Sequence, residues 1–167
     1  MKFVSGVLFT ILVLAGGGLA IALLGYMPVN ANSTPPSWEK GIATRAVDAA
    51  VERHAPKTAN PVPPTDENLA QGMMVYNMNC AVCHGSPAKK ENPLGHSFYP
   101  PVPQFPEDPP DLPDNETYWI VKNGVRYTGM PAWDKTLSDD DVWKVTLFLG
   151  NWNKLPPAVK EKWEKGL

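Results

Sequence analysis

The first apolar segment of the chain is continuous rather than periodic. Residues 3–27 contain no charged side chain. As a helix they would span about 37 Å, which is enough to cross the ~30 Å hydrocarbon core of a bilayer. The apolar stretch of a secretory signal is usually shorter, roughly 7–15 residues. The pattern therefore predicts a transmembrane anchor over residues 1–28, and it favours a retained anchor over a signal cleaved after Val29-Asn30-Ala31.

The charges beside this segment predict its orientation. Lys2 is the charged residue on the N-terminal side, whereas residues 28–36 contain no lysine or arginine. Positive residues flanking a membrane helix favour the cytoplasmic side. We therefore expect a single-pass protein of the inner membrane whose C-terminal domain lies on the periplasmic side, with residues 3–27 in contact with lipid.

Beyond the anchor, apolar residues recur at helical spacing in short segments, and no strand pattern of any length is present. Ser37, Thr65 and Ser138 are candidate N-caps of three of these segments. A further helix is expected to begin at Asp114 or Asn115 and to end at Gly124. The fold class predicted is all-α, with three to four short helices joined by long loops.

The connections between these helices are rich in proline, of which the chain has 19. Proline fixes φ and lacks a backbone donor, so residues 91–114 are expected to form a long loop that wraps over another group. We assign residues 29–64 to a spacer helix and a stiff linker, residues 65–155 to the folded domain and residues 156–167 to a C-terminal tail. The spacer helix either stands free or packs on the domain. A large apolar cofactor inside the long loop would complete a small core.

Charge excludes one class of partner. The net charge is −2, divided into +2 for residues 1–59 and −4 for residues 60–167. Nucleic-acid binding needs a strong basic patch, so it is not expected. A mildly acidic domain favours a partner with a basic docking face.

Both cysteines lie in the sequence CAVCH, residues 80–84. A structural zinc site needs four ligands, and the chain has no second cysteine pair. A redox dithiol usually lies at a helix N-terminus in a βαβ unit, and a local disulfide would constrain little. Cys-x-x-Cys-His is the attachment pattern of c-type haem, in which two thioethers and one histidine hold one porphyrin. The expected cofactor is one covalent haem c.

The second face of the haem iron requires another ligand. His54 and His96 are candidates, and so are the six methionines. Met73 lies at a periodic core position, whereas Met130 lies in a Gly-Met-Pro turn that is unlike a core segment. The sequence therefore favours Met130 over His96.

Residues 65–154 resemble the small monohaem class I cytochromes c, and the subgroup is that of membrane-anchored bacterial cytochromes. The resemblance rests on "ENLAQGMMVYNMNCAVCHG", "YWIVKNG", "GMPAW" and "LSDDDVWKVTLFL", which occur in the order typical of the family. It implies thioethers at Cys80 and Cys83, a proximal ligand at His84 and a distal ligand at Met130.

The resemblance also implies contacts around the haem. Gly72 and Tyr76 would lie where the first helix of the domain crosses the last, opposite Val145, Phe148 and Leu149. A proline carbonyl after the motif orients the proximal histidine in many members, and Pro93 is the nearest match, ahead of Pro100, Pro101 and Pro103. Trp133 and Tyr99 are candidates for the haem edge.

Histidine and methionine together would saturate the iron, which suits electron transfer rather than substrate chemistry. The function expected is that of a membrane-tethered periplasmic electron carrier, not an enzyme, with membrane-bound or periplasmic redox proteins as partners and no small-molecule substrate. The alternative is a permanent cytochrome c subunit of a larger respiratory or dehydrogenase complex. A gas sensor or haem enzyme that releases Met130 is a third possibility.

Overall fold

The computed structural model of the protein describes residues 2–88 and 92–166. Met1, the first residue of the predicted anchor, lies outside them, as do Glu91 in the predicted loop and Leu167 in the predicted tail. The chain divides into two compact units, Met1–Ser33 and Thr34–Leu167. The described residues form helices joined by irregular segments. The helices are α1 (Lys2–Leu23), α2 (Ser37–His54), α3 (Asp66–Asn79), α4 (Ala81–His84), α5 (Pro93–His96), α6 (Asp114–Asn123), α7 (Asp139–Gly150) and α8 (Pro157–Lys165).

The first unit is dominated by α1. Its 22 residues are long and apolar enough to cross a membrane, and large apolar side chains such as Leu12 and Leu14 are exposed along it. The helix ends at Leu23, four residues before the end of the uncharged segment, and Gly25 follows with a positive φ of 78°. This unit fits a single-pass anchor.

The core of the second unit lies where α3 crosses α7. Tyr76 and Phe148 are fully buried at the crossing, with ring centroids 5.7 Å apart. A Cβ at Gly72 would overlap the main-chain carbonyl of Lys144, so only glycine permits this close approach. The crossing and the side chains expected on each side of it are confirmed, because Val145 and Leu149 are also buried.

Two of the three expected N-caps are present. Thr65 Oγ1 accepts a hydrogen bond from the main-chain nitrogen of Asn68. Ser138 and Asp141 form a capping box at the start of α7. Ser37 is instead the first residue of α2, after Pro36, and its side chain makes no capping bond. A cap lies one position before the helix, so Ser37 is placed one residue too late for that role.

Residues 34–64 pack on the rest of the second unit. Helix α2 contacts α6, and the His54 ring stacks on Trp119 with centroids 6.2 Å apart. In the predicted linker, Asn60 Nδ2 donates to Asp114 Oδ2 and to the carbonyl of Trp143, at 2.9 and 3.1 Å. Of the two alternatives for the spacer helix, the structure shows the packed one.

The residues expected to form a C-terminal tail fold as α8. Val159 and Trp163 are buried, and the Trp163 ring lies 4.9–5.5 Å from the rings of Tyr76, Phe148 and Trp152. Pro157 occupies the first position of the helix, where its missing N–H costs nothing. Residues 156 and 157 thus begin a helix that belongs to the core.

Candidate haem site

The residues of the CAVCH motif follow one continuous helical path. Cys80 is the C-cap of α3, and α4 begins at the next residue. The main-chain nitrogens of Cys83 and His84 donate to the Cys80 carbonyl at 3.0 and 2.9 Å. Gly85 ends the turn with φ of 82°, and its carbonyl accepts a 2.8 Å hydrogen bond from the buried hydroxyl of Tyr76. Helix α3 therefore fixes the place of the motif.

The two thiols differ in their surroundings. Cys80 belongs to the buried core, whereas Cys83 is half-buried, and neither is in a disulfide. Burial, with a smaller contribution from the charge of Cys83, raises the pKa of the Cys80 thiol to about 12. A redox dithiol needs a thiolate near neutral pH, so this environment does not suit one.

Zinc binding has no ligand set in the part of the chain that the structure describes. No group of three or more His, Cys, Asp or Glu side chains is arranged there to hold a metal ion. Of the chemistries open to Cys80 and Cys83, attachment of a haem is the one that the surroundings favour.

The long proline-rich loop wraps over this motif. Asn92 Nδ2 and Gln104 Nε2 both donate to the Cys83 carbonyl, at 2.7 and 3.0 Å. The main-chain nitrogen of Phe105 donates to the His84 carbonyl at 3.0 Å. The loop contains one short helix, α5, and includes a cis peptide bond between Tyr99 and Pro100. What the loop covers is the helical turn that carries the cysteines.

The same loop fixes the imidazole of His84. Its Nδ1 lies 3.0 Å from the carbonyl oxygen of Pro103, and the Phe105 ring stacks on it with centroids 4.3 Å apart. A carbonyl can only accept, so Nδ1 carries the proton and donates it, which leaves the Nε2 lone pair available. Burial lowers the pKa of His84, and the bond to Pro103 opposes this more weakly. The surroundings therefore favour a neutral ring whose Nε2 can act as an acceptor.

The orienting carbonyl is therefore that of Pro103 and not that of Pro93, the nearest match by sequence. Pro93 begins α5, and its carbonyl accepts a hydrogen bond from Ser97 Oγ at 2.8 Å. The insert after α5 turns back and brings Pro103 to the ring. Spacing alone could not show where the insert returns.

Met130 lies in a loop closed by hydrogen bonds of its own. Its carbonyl accepts from the nitrogen of Val125 at 3.1 Å, and its nitrogen donates to Thr128 Oγ1 at 3.1 Å. Thr128 Oγ1 in turn donates to the Val125 carbonyl at 2.7 Å. Gly124 has φ of 66°, and a Cβ there would lie 2.8 Å from the Met130 carbonyl oxygen. The turn is thus tightly specified.

The structure brings Met130 to the core that contains Cys80. Its side chain is partly buried and packs against that cluster. A Cβ at Gly129 would overlap the ring of Phe98, so the proline-rich loop touches the Met130 loop as well as the motif. His96, by contrast, is exposed at the end of α5, and Met73 is a core residue as expected.

One buried polar atom points to a missing hydrogen-bond acceptor. Among the described residues, Trp133 Nε1 is the one buried side-chain nitrogen or oxygen without a partner. An unpaired buried N–H costs free energy, and haem c carries two carboxylates that can accept such a bond. Trp133 follows Met130 by three positions, so the residues present fit the group. The hydroxyl of Tyr99, the other candidate for the haem edge, donates to Glu39 Oε1 at 2.7 Å.

Comparison with known proteins identifies the same domain. Residues 67–149 match the family model described as cytochrome c oxidase, cbb3-type, subunit III. None of the curated proteins shows significant similarity to the chain. Among solved structures, the chain is similar to one of the Kuenenia stuttgartiensis reducing HAO-like protein complex Kustc0457/Kustc0458, with 23% identity and a TM-score of 0.44. That match covers 56% of this chain and 48% of the other, so this chain spans less than half of its neighbour's length.

The family match covers the motif, the Met130 loop and the crossing of α3 with α7. Together with the all-helical fold, it confirms the class predicted from the sequence. Residues 67–149 therefore form a class I cytochrome c domain with covalently bound haem c, and the protein is an electron-transfer protein rather than an enzyme.

Proposed function

We propose that Cys80 and Cys83 hold the haem through thioether bonds, and that His84 and Met130 are the two axial ligands of its iron. The observation that carries this proposal is the hydrogen bond from His84 Nδ1 to Pro103, which leaves Nε2 free to act as a ligand. Haem c supplies a one-electron iron couple, and ligation by methionine and histidine raises its potential.

With His84 and Met130 both bound to it, the iron would have no position open to a substrate. The function proposed is therefore transfer of single electrons by a carrier tethered through α1 to the inner membrane, with its domain on the periplasmic side. Residues 65–155 would bind the haem, and residues 29–64 would connect them to the anchor at residues 1–28. The −4 charge of residues 60–167 supports a redox partner with a basic docking face.

Replacement of Met130 tests the ligand assignment. The oxidised wild type is expected to show the weak sulfur-to-iron charge-transfer absorption, which Met130→Ala abolishes while making the reduced protein bind CO. Met74→Ala is the matched control, because Met74 is exposed on α3 and its loss should leave both properties unchanged. Persistence of the band in Met130→Ala, or ready CO binding by the reduced wild type, would contradict the assignment.

A second candidate function is that of a permanent subunit. The matching family is described as a subunit of a cbb3-type oxidase, which favours this possibility. Extraction in a mild detergent followed by native electrophoresis distinguishes the two functions. A free carrier migrates as a small species with haem staining, whereas a subunit migrates with a large complex.

A further inference from the structure

Helix α2 carries two apolar faces, of which only one is packed. Val51 is 3% exposed on the packed face, and His54 on the same side stacks on Trp119. The opposite face is here called the Trp38 face, and its residues occur at positions i, i+4, i+8 and i+11 along the helix. It consists of Trp38, Ile42, Ala46 and Ala49, all of them exposed.

The two large apolar side chains of the Trp38 face are exposed to an unusual degree. Trp38 is 66% exposed and Ile42 is 64% exposed, one helical turn apart. At roughly 100° per residue, they lie about half a turn away from Val47 and Val51. The packed face accounts for the docking of α2 on its unit, so the Trp38 face needs a different partner.

We propose that the Trp38 face lies on the surface of the lipid bilayer, with its apolar side chains at the boundary between headgroups and acyl chains. Such helices carry an aromatic or aliphatic face and basic residues beside it. Tryptophan prefers this boundary because its ring is apolar and its N–H can reach polar headgroups.

Two basic side chains that can reach lipid headgroups lie beside the Trp38 face, together with the exposed carboxylate of Glu52. Arg45 and Arg53 are exposed and lie within one turn of Ile42 and Ala49 on the same side of the helix. Their guanidinium groups can pair with anionic headgroups while their stems stay against the apolar face. The carboxylate nearest the N-terminal end, Glu39, is already bound by the Tyr99 hydroxyl.

The length of chain after the anchor favours the same partner. Helix α1 ends at Leu23 and α2 begins at Ser37, so residues 24–36 connect them. Even fully extended, these residues span at most about 45 Å. A tether of this length holds a surface-binding helix at millimolar effective concentration near the bilayer, so even weak affinity would suffice.

Site-directed spin labels on the full chain test this proposal. The labelled protein is the haem-loaded chain in nanodiscs of phosphatidylcholine with a minority of phosphatidylglycerol, one copy in each disc. Trp38→Cys and Ile42→Cys place a nitroxide on the Trp38 face. Lys40→Cys and Thr44→Cys are the matched controls, because both positions are exposed but lie away from that face.

The expected result is a periodic pattern of accessibility. The ratio of collision rates with oxygen to those with a water-soluble nickel chelate should be roughly threefold or more higher at positions 38 and 42 than at 40 and 44. Equal, water-like ratios at all four positions would overturn the proposal. Low collision rates with both reagents at 38 and 42 would overturn it too, by showing a protein partner.

The test does not depend on the axial ligands. It rests on the anchor, and it would give the same pattern whether or not Met130 binds the iron. A Trp38→Ser, Ile42→Ser double variant with the label moved to Ala46 provides the reverse check. Its oxygen-to-nickel ratio should fall to the value of the control positions, and an unchanged ratio would contradict the role of the two side chains.

Discussion

At the scale of single residues, the proximal side of the site is built by one loop acting on one ring. The Pro103 carbonyl selects the tautomer of His84, and the Phe105 ring covers its face. The sequence could predict a ligand role for His84 because the residue is adjacent to the cysteines, and that role stays a prediction. It could not assign Pro103, since four prolines lie between residues 93 and 103 and each has a carbonyl.

Trp133 offers a test of the haem edge at this scale. If its Nε1 donates to a haem carboxylate, Trp133→Phe should destabilise the haem-loaded protein by about 1.5–3 kcal/mol, the usual contribution of a hydrogen bond to a charged group. Urea unfolding of the haem-loaded chain measures the change. A neutral or stabilising effect would instead indicate an N–H that lacks an acceptor in the loaded protein.

At the scale of elements, the sequence predicted those helix starts that depend on neighbouring residues alone. The hydroxyls of Thr65 and Ser138 cap helices because each lies one position before an amphipathic segment. The start of α8 was missed because Pro156 and Pro157 resemble a stop signal as much as a start. Only burial of Trp163 in the core, a contact distant in sequence, decides between the two.

Caps provide a matched pair of substitutions. Ser138→Ala removes the capping box of α7 and should lower the free energy of unfolding by about 1 kcal/mol. Ser37→Ala should change it by only a few tenths, because the Ser37 side chain caps nothing. Chemical denaturation of both variants measures the difference, and equal losses would contradict the helix starts described above.

Two glycine-to-alanine substitutions, one of them at the crossing of α3 and α7, should differ more in stability than the two cap variants. Gly72→Ala forces a methyl group against the main chain of Lys144, which cannot move without shifting α7, so we expect a loss of about 1–3 kcal/mol or more. Gly41→Ala in α2 meets open space and should stabilise by about 0.5–1 kcal/mol. Thermal unfolding of the two variants should therefore shift in opposite directions.

At the scale of the whole molecule, the cytochrome domain extends beyond the segment that resembles the family. Residues 34–64 and α8 both pack on it, the first through α6 and the second through the aromatic core. The sequence did predict the all-helical class, the anchor and the wrapped loop. It could not predict these flanking contacts, because the residues that meet in them are distant from one another in sequence.

Removal of one flanking side chain measures this extension. Trp163→Ala empties a site bounded by Tyr76, Phe148 and Trp152 and should cost about 3–5 kcal/mol. Trp38→Ala, at an exposed position, should cost less than about 0.5 kcal/mol in detergent. If the free energy of unfolding of Trp163→Ala equals that of the wild type, α8 is not part of the core.

Burial of Cys80 also has a consequence for biosynthesis. Cys80 belongs to the buried core cluster, and Asn92 and Gln104 of the proline-rich loop both donate to the Cys83 carbonyl. An assembly enzyme that joins both sulfurs to the porphyrin needs access to the two at once. If both sulfurs attach the haem as proposed, attachment would have to precede the closing of this core, and the polypeptide would then fold around its prosthetic group.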